Sequence, residues 1–424
     1  MWKRRIVFWV GALMIGVVSV GFAAAADKAH SLFMAMAASG PYTFLIPLLL
    51  TPAGFALCAF LAIRVFPNAQ GSGIPQAIAA RHLREETSRS ALLSLKISAG
   101  KILLTVVGLF CGASIGREGP TVQVGASIML AAARFGGMAQ ARGLILAGSA
   151  AGIAAAFNTP LAGIVFAIEE MSRTYEVRAN GLVLTAVILS GLAALGLVGS
   201  YTYFGETSVM AATRLDWAMV AICGIGGGAL GAAFSAGAVT AARRVRRWAQ
   251  PDPLKRMIGL AVACGLAVAM IGIFSGGRTF GTGYEEARMM LQGETISPSF
   301  FIEKFASTLL SMISGIPGGI FAPSLSVGVG MGATVGSLFG ANIALSALLG
   351  MAGYFAGVVQ APMTAFVIII EMTGNHDAVI PVMATSMLGY ITSRLLSPEP
   401  LYHALSRPFI AAGIRARRAE EQSA

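Results

Sequence analysis

The sequence predicts an all-α integral membrane protein, a bundle of many tilted helices of which several are only half-length. Three observations carry this. Apolar residues make up 56% of the chain and charged residues 12%, roughly half the charged share of an ordinary soluble domain. Gly and Pro cut the apolar stretches into pieces, several too short to cross a bilayer at about 1.5 Å per residue. And an apolar block that opens on proline and closes on an acid occurs twice, once in each half of the chain.

Taken in order, the first element is a span at Val7–Phe22. Met1 to Asp27 has the basic head, apolar run and Ala23-Ala24-Ala25-Ala26 of a secretory signal. Its apolar run is nevertheless long enough to span, and the chain beyond it is itself membrane-like, so a retained first helix is expected. Further full spans are expected at Tyr42–Ile63, Leu182–Val198, Trp217–Val239 and Ile258–Phe274. Between them lie Leu92–Cys111, Thr121–Ala133, Gly143–Phe157, Leu161–Ile168, Phe305–Ile313, Ser324–Leu338, Ile343–Val358 and Met363–Ile370. Half-length helices meeting at mid-membrane account for the shorter pieces. Periodicity cannot place them better, because nearly every face is apolar. The 52 glycines suit helices that pack backbone to backbone. No polar stretch is long enough for a separate soluble domain. One membrane domain over 1–424 is expected, with a first repeat over about 1–200, a second over about 214–405 and a short tail at 406–424.

A net charge of +11 raises the question of nucleic acid. The distribution answers it. Lys3, Arg4 and Arg5; Arg81, Arg84 and Arg89; Arg243, Arg244, Arg246, Arg247, Lys255 and Arg256; and Arg407, Arg415, Arg417 and Arg418 all flank apolar segments. That is the positive-inside pattern, and it puts both termini in the cytoplasm. Cys58, Cys111, Cys223 and Cys264 sit in apolar stretches without paired spacing, as inert buried thiols do. His30, His82, His376 and His403 form no ligand cluster, so neither a metal nor a cofactor is expected.

The repeat aligns Thr159-Pro160-Leu161-Ala162-Gly163-Ile164-Val165-Phe166-Ala167-Ile168-Glu169 with Ala361-Pro362-Met363-Thr364-Ala365-Phe366-Val367-Ile368-Ile369-Ile370-Glu371. Proline suits a first helical turn, and two Pro-opened short helices, one per half, suit a transporter built from repeats. Broken helices favour inverted over parallel copies.

Chemistry concentrates at three breaks: Gly71-Ser72-Gly73-Ile74-Pro75, Gly116-Arg117-Glu118-Gly119-Pro120 and Gly318-Gly319-Ile320-Phe321-Ala322-Pro323. In each, a helix can start at the proline, and its first N–H groups are free and carry partial positive charge. Three such ends pointing inward make an anion site without a full cation, weak enough to release its ion. Glu118 is an acid at bilayer depth, which marks an ion or proton path.

On these residues the chain resembles the CLC family of chloride channels and proton-coupled chloride exchangers. The family's GSGIP, GREGP and GxFxP motifs stand in order as Gly71–Pro75, Gly116–Pro120 and Gly319–Pro323, and the likeness runs from about Val10 to about Leu405. The resemblance implies a CLC-type inverted-repeat bundle. It implies that Ser72 offers its hydroxyl, and Ile320 and Phe321 their amides, to a central anion closed on its inner side by Tyr402. Gly73, Ile74, Gly116, Arg117 and Gly119 complete the expected anion-binding set. Glu118 matches the family's external gating glutamate, and Glu170 the inner proton-relay glutamate of the exchangers. The bland alternatives are a helix cap for Ser72, an interfacial anchor for Tyr402, an ion pair with Arg117 for Glu118, and a solvated acidic pair for Glu169-Glu170.

The implied activity is proton-coupled chloride antiport. The implied partners are chloride (nitrate and bromide being alternatives), protons, membrane lipid and a second copy of the chain, in a multi-pass bacterial inner membrane. A passive chloride channel of the same fold is the main alternative. An intramembrane enzyme would need a nucleophile, metal motif or cofactor loop near Glu118 and Glu170, and none is present. A cation-coupled carrier would want acids and carbonyl ends at the site. Two departures stand out. Gln76 replaces an acid common in exchangers, so that acid's structural role must be filled otherwise. The chain also stops soon after Arg418, without room for the paired nucleotide-binding domains of many eukaryotic members.

Overall fold

The structure is a computed structural model that describes residues 2–38, 43–172, 180–199 and 201–423. It is helical throughout, with no strand among the described residues beyond two isolated main-chain bridges. The first half runs α1 (Trp2–Ala38), α2 (Leu45–Arg64), α3 (Ile74–His82), α4 (Glu86–Ser90), α5 (Leu95–Phe110), α6 (Glu118–Gly136), α7 (Ala141–Phe157), α8 (Pro160–Phe166) with a π-helical continuation at Ala167–Ser172, and α9 (Asn180–Val198). The second runs α10 (Arg214–Ala249), α11 (Pro253–Phe274), α12 (Tyr284–Leu291), α13 (Phe300–Ile313), α14 (Phe321–Phe339), α15 (Ile343–Val359), α16 (Pro362–Thr373), α17 (Val379–Leu396) and α18 (Leu401–Ser423).

Packing in one half recurs in the other. α6 lies on α7 as α14 lies on α15; α1 and α7 pack on α9 as α10 and α15 pack on α17; α5 meets α6 as α13 meets α14. The small residues explain how closely these pairs approach. A Cβ on Gly152 of α7 would stand 2.6 Å from the Thr121 carbonyl of α6, and one on Gly328 of α14 would stand 2.7 Å from the Gly350 carbonyl of α15. α7 and α15 end alike, on Asn158 (φ 57) and Gln360 (φ 56), and each hands over to a helix opened by proline.

Eight helices among the described residues are long and apolar enough to cross a membrane. α1, at 37 residues, outruns the expected Val7–Phe22 span by a wide margin. At about 1.5 Å per residue it also outruns a hydrocarbon core about 30 Å thick. Beyond the expected span, Asp27 of α1 pairs with Arg117, the residue just before α6. Tyr42, expected to start the second span, lies outside the described residues. α17 was not expected as a span: Pro381, Thr385, Ser386 and Ser393 dilute its apolar run, yet all four are buried against neighbours. Residues 406–424, expected as a tail, continue α18 through Ser423.

The basic clusters gather on one face. Lys3 sits 5.6 Å over the Phe135 ring. Arg134 pairs with Glu86 at 2.8 Å, and Arg417 with Glu85 at 3.2 Å. Arg243 and Arg407 share Glu399 at 2.7 and 2.6 Å. The four cysteines are buried and unbridged.

Candidate anion and proton site

The three breaks fold into one junction. Gly71 N–H donates to the Ile316 carbonyl (3.2 Å) and the Gly71 carbonyl accepts from Gly318 N–H (3.1 Å). Gly116 and Gly319 exchange two main-chain hydrogen bonds, both 2.7 Å. The first bridge is parallel and the second antiparallel, tying first-half loops to the second-half loop before α14. Gly119 lies against Ser72, whose hydroxyl would stand 3.1 Å from a Cβ there. Gly319 lies against Gly119 N at 3.0 Å on the same measure.

α6 and α14 therefore begin side by side, at Glu118 and Phe321, with Ser72 alongside. Ser72 accepts from Ile74 N–H at 3.3 Å, a local turn contact just ahead of α3, whose cap position is Gly73. Gly73 adopts φ 95 there, a conformation L side chains avoid. Glu118 is fully buried and its carboxylate folds back over Gly116. Neither of its oxygens makes a well-formed hydrogen bond among the described residues. Arg117 turns instead to Asp27 and to the Ala23 carbonyl (2.9 Å), so the pairing of Arg117 with Glu118 is not what the structure holds, and the Arg117 side chain is engaged with α1. That ion pair lines a cavity of about 840 Å³, with His30, Tyr201, Tyr203 and Tyr284, which opens one residue from Glu118.

Aromatic rings close the other side. Phe321 meets Phe355 (5.0 Å) and Phe166 (6.0 Å) edge to face and Tyr402 (5.9 Å) at a tilt. Tyr402 is fully buried, beside Ser72 and within electrostatic reach of both Glu118 and Glu170. An interfacial anchor is thus excluded for Tyr402.

The loop before Ser72 is held by its carbonyls. Lys101 of α5, fully buried, donates to the carbonyls of Gln70 (3.3 Å) and Gly71 (2.8 Å). Gln76 donates to Asn68 (3.2 Å) and Gln70 (2.6 Å), and Gln123 to Asn68 (3.3 Å) and Leu92 (2.9 Å). Two amide side chains and one lysine thus hold the loop around Gln76. Lys101 lies directly behind the loop, bonded to carbonyls. Sequence reading passed over it, although an ionisable residue inside Leu92–Cys111 was itself a signal. Lys304 of α13 repeats the arrangement, donating to the carbonyls of Thr279 (2.9 Å) and Gly281 (2.8 Å). Thr279 precedes and Gly281 opens Gly281-Thr282-Gly283, a second, degenerate copy of the first break.

Glu170 lies in the π-helical turn, 1% exposed. A solvated acidic pair is therefore not what forms. His403 of α18 places Nε2 3.0 Å from the Glu170 carbonyl oxygen and 3.9 Å from its Oε1. Arg81 of α3 donates to the Met171 carbonyl and reaches Ser172 Oγ at 3.4 Å. Glu169 and Glu371 partner no basic group in these contacts. Glu169 accepts from the amides of Met363 (3.1 Å) and Thr364 (2.6 Å), while Glu371 accepts from those of Leu161 (3.1 Å) and Ala162 (2.7 Å). Each repeat's terminal acid caps the other repeat's Pro-opened helix. Among the described residues no group of acids, histidines or cysteines could hold a metal.

Known proteins resemble the chain in sequence and fold. The H(+)/Cl(-) exchange transporter ClcA of Yersinia pestis is 29% identical over 449 residues, covering 98% of this chain and 90% of the relative. Its counterpart in Salmonella paratyphi B is 28% identical, covering 99% and 88%. Among solved structures, a slow cyanobacterial Cl-/H+ antiporter superposes with a TM-score of 0.82 at 26% identity, covering 96% of this chain and 98% of that one. A CLC-type fluoride/proton antiporter shares the fold at a TM-score of 0.78 and 22% identity, covering 95% and 96%. The voltage gated chloride channel family matches residues 54–394, most of the chain, and the protein belongs to that family.

Proposed function

We propose that the protein is a proton-coupled chloride antiporter in which Glu118 both gates the anion path and carries the proton. The observation that carries this is the buried Glu118 carboxylate at the start of α6, beside Ser72 and the start of α14. Free N–H groups there attract either a carboxylate or a chloride, but not both. Protonation removes the carboxylate's charge, so the side chain swings off and chloride enters. Ser72, the Ile320 and Phe321 amides and the Tyr402 phenol hold the ion, and partial charges let it leave again. Glu170, buried within electrostatic reach of Tyr402, passes protons between the basic face and the interior. Chloride–proton exchange by the ClcA relatives supports this coupling. The gathered basic clusters support a cytoplasmic assignment for that face and for both termini, in a bacterial inner membrane. Leu161, Leu192, Met363 and Ile380 expose large apolar side chains on the adjoining helices α8, α9, α16 and α17, a face suited to pairing with a second copy.

Reconstitution into liposomes tests the reading. A chloride gradient should drive uphill proton uptake; chloride current without it identifies a passive channel. Glu118→Ala should keep chloride flux and lose proton movement. Glu170→Ala should also uncouple, with halide binding by calorimetry retained. Uphill proton pumping by either variant overturns the role given to that residue.

A further inference from the structure

Glu170 poses a problem of access. Its carboxyl is 2% exposed, and it sits in a turn whose π-helical hydrogen-bonding shifts the main chain's register. A proton bound for Glu170 must come through some group that also meets water. We propose that His403 is that group: its imidazole ferries protons between the cytoplasmic solution and the Glu170 carboxylate. The inference rests on the exchange reading above.

Geometry carries it. The His403 side chain is 23% exposed while the Glu170 side chain is 2% exposed, so the ring bridges the wet and dry sides. Nε2 lies 3.9 Å from Glu170 Oε1, one side-chain rotation short of a hydrogen bond. Its 3.0 Å contact with the Glu170 carbonyl oxygen holds the ring in place as Nε2–H donates. A hydronium ion of the solution gives its extra proton to Nδ1 and leaves water. The Nε2 proton then passes to the carboxylate, leaving neutral imidazole and a neutral carboxylic acid. Ring rotation or solvent exchange restores the starting tautomer. Charge and protons balance without a further reactant.

Among the described residues, the neighbouring titratable groups are engaged elsewhere. On α3, the Arg81 guanidinium is held by the Met171 carbonyl and Ser172 Oγ and does not release protons. His82 points its Nδ1 at its own helix, 2.8 Å from the Ile78 carbonyl. Glu169 is turned to the amides of α16, and Glu371 of α16 to those of α8. On α18, Tyr402 faces Ser72 and Arg407 pairs with Glu399, which also takes Arg243 from α10. α8 and α15 carry no Asp, Glu, Lys, Arg or His. Histidine is also the side chain whose ordinary titration falls between about pH 5 and 8, where such traffic operates.

A merely structural His403 would only bond the carbonyl of Glu170, and the test separates the two roles. Full-length wild type, His403→Gln and His403→Gly are placed in liposomes under the same chloride gradient, and initial proton uptake is followed from pH 5 to 8. Gln keeps an N–H donor for the carbonyl but ferries nothing. The expected result is proton uptake lowered at least about tenfold in both variants, loss of the wild-type inflection in the pH profile, and partial recovery of His403→Gly by added imidazole. Halide binding by calorimetry reports that both variants are folded. Wild-type pumping together with an unchanged rate and pH profile in His403→Gln overturns the His403 assignment alone. Wild type that moves no protons uphill overturns the exchange reading, and this inference with it.

Discussion

Lys101 does at residue scale what no motif announces. Its buried Nζ binds the carbonyls of Gln70 and Gly71, the two residues before Ser72. Both carbonyls keep a second donor, from Gln76 and from Gly318 N–H, so losing the lysine strips one bond from each and orphans neither. Lys101→Met should therefore destabilise the detergent-solubilised protein by about 1–3 kcal/mol, seen as a lower thermal midpoint. Halide affinity by titration calorimetry should fall in parallel. Unchanged affinity would show that the ammonium supports the loop without shaping the anion site. The same reasoning explains which site residues were legible. Ser72, Glu118, Ile320 and Phe321 stand in Gly/Pro breaks whose order is itself a pattern. Lys101, Asp27 and His403 belong to no motif, and the contacts described for them lie with main-chain groups or single side chains far away in the sequence.

At the scale of elements, the Pro-opened helices are the clearest case. Their alignment was readable from Pro160 to Glu169 and from Pro362 to Glu371; the use of the two acids was not. Each carboxylate takes two amides across the boundary between halves, at a helix start where partial positive charge favours it. Glu169→Ala and Glu371→Ala should each cost about 1–2 kcal/mol. The two losses should be similar, because the contacts are near-mirror images. Thermal unfolding in detergent checks both, and a loss confined to one variant would refute the equivalence. α12 and α17 escaped the sequence reading for opposite reasons: α12 is short and opens on Tyr284-Glu285-Glu286, while α17 carries buried polar residues that lower its apolar contrast.

Across the whole molecule, composition and the breaks sufficed for a membrane bundle of full and partial helices. They did not convey that the two halves match helix for helix in their packing, because that likeness lies in contacts between α6 and α7, α14 and α15, and their neighbours. Nor did they convey how the halves meet. The paired 2.7 Å bonds between Gly116 and Gly319 act as a rivet at the crossing point of the two repeats. Rocking one half as a rigid body against the other would shear both bonds in a dry interior, at about 1–3 kcal/mol for each buried group left unpaired. Access to either side of such a joint is most cheaply switched by rotating single side chains around a fixed backbone, so the transport cycle should leave the helix framework almost still.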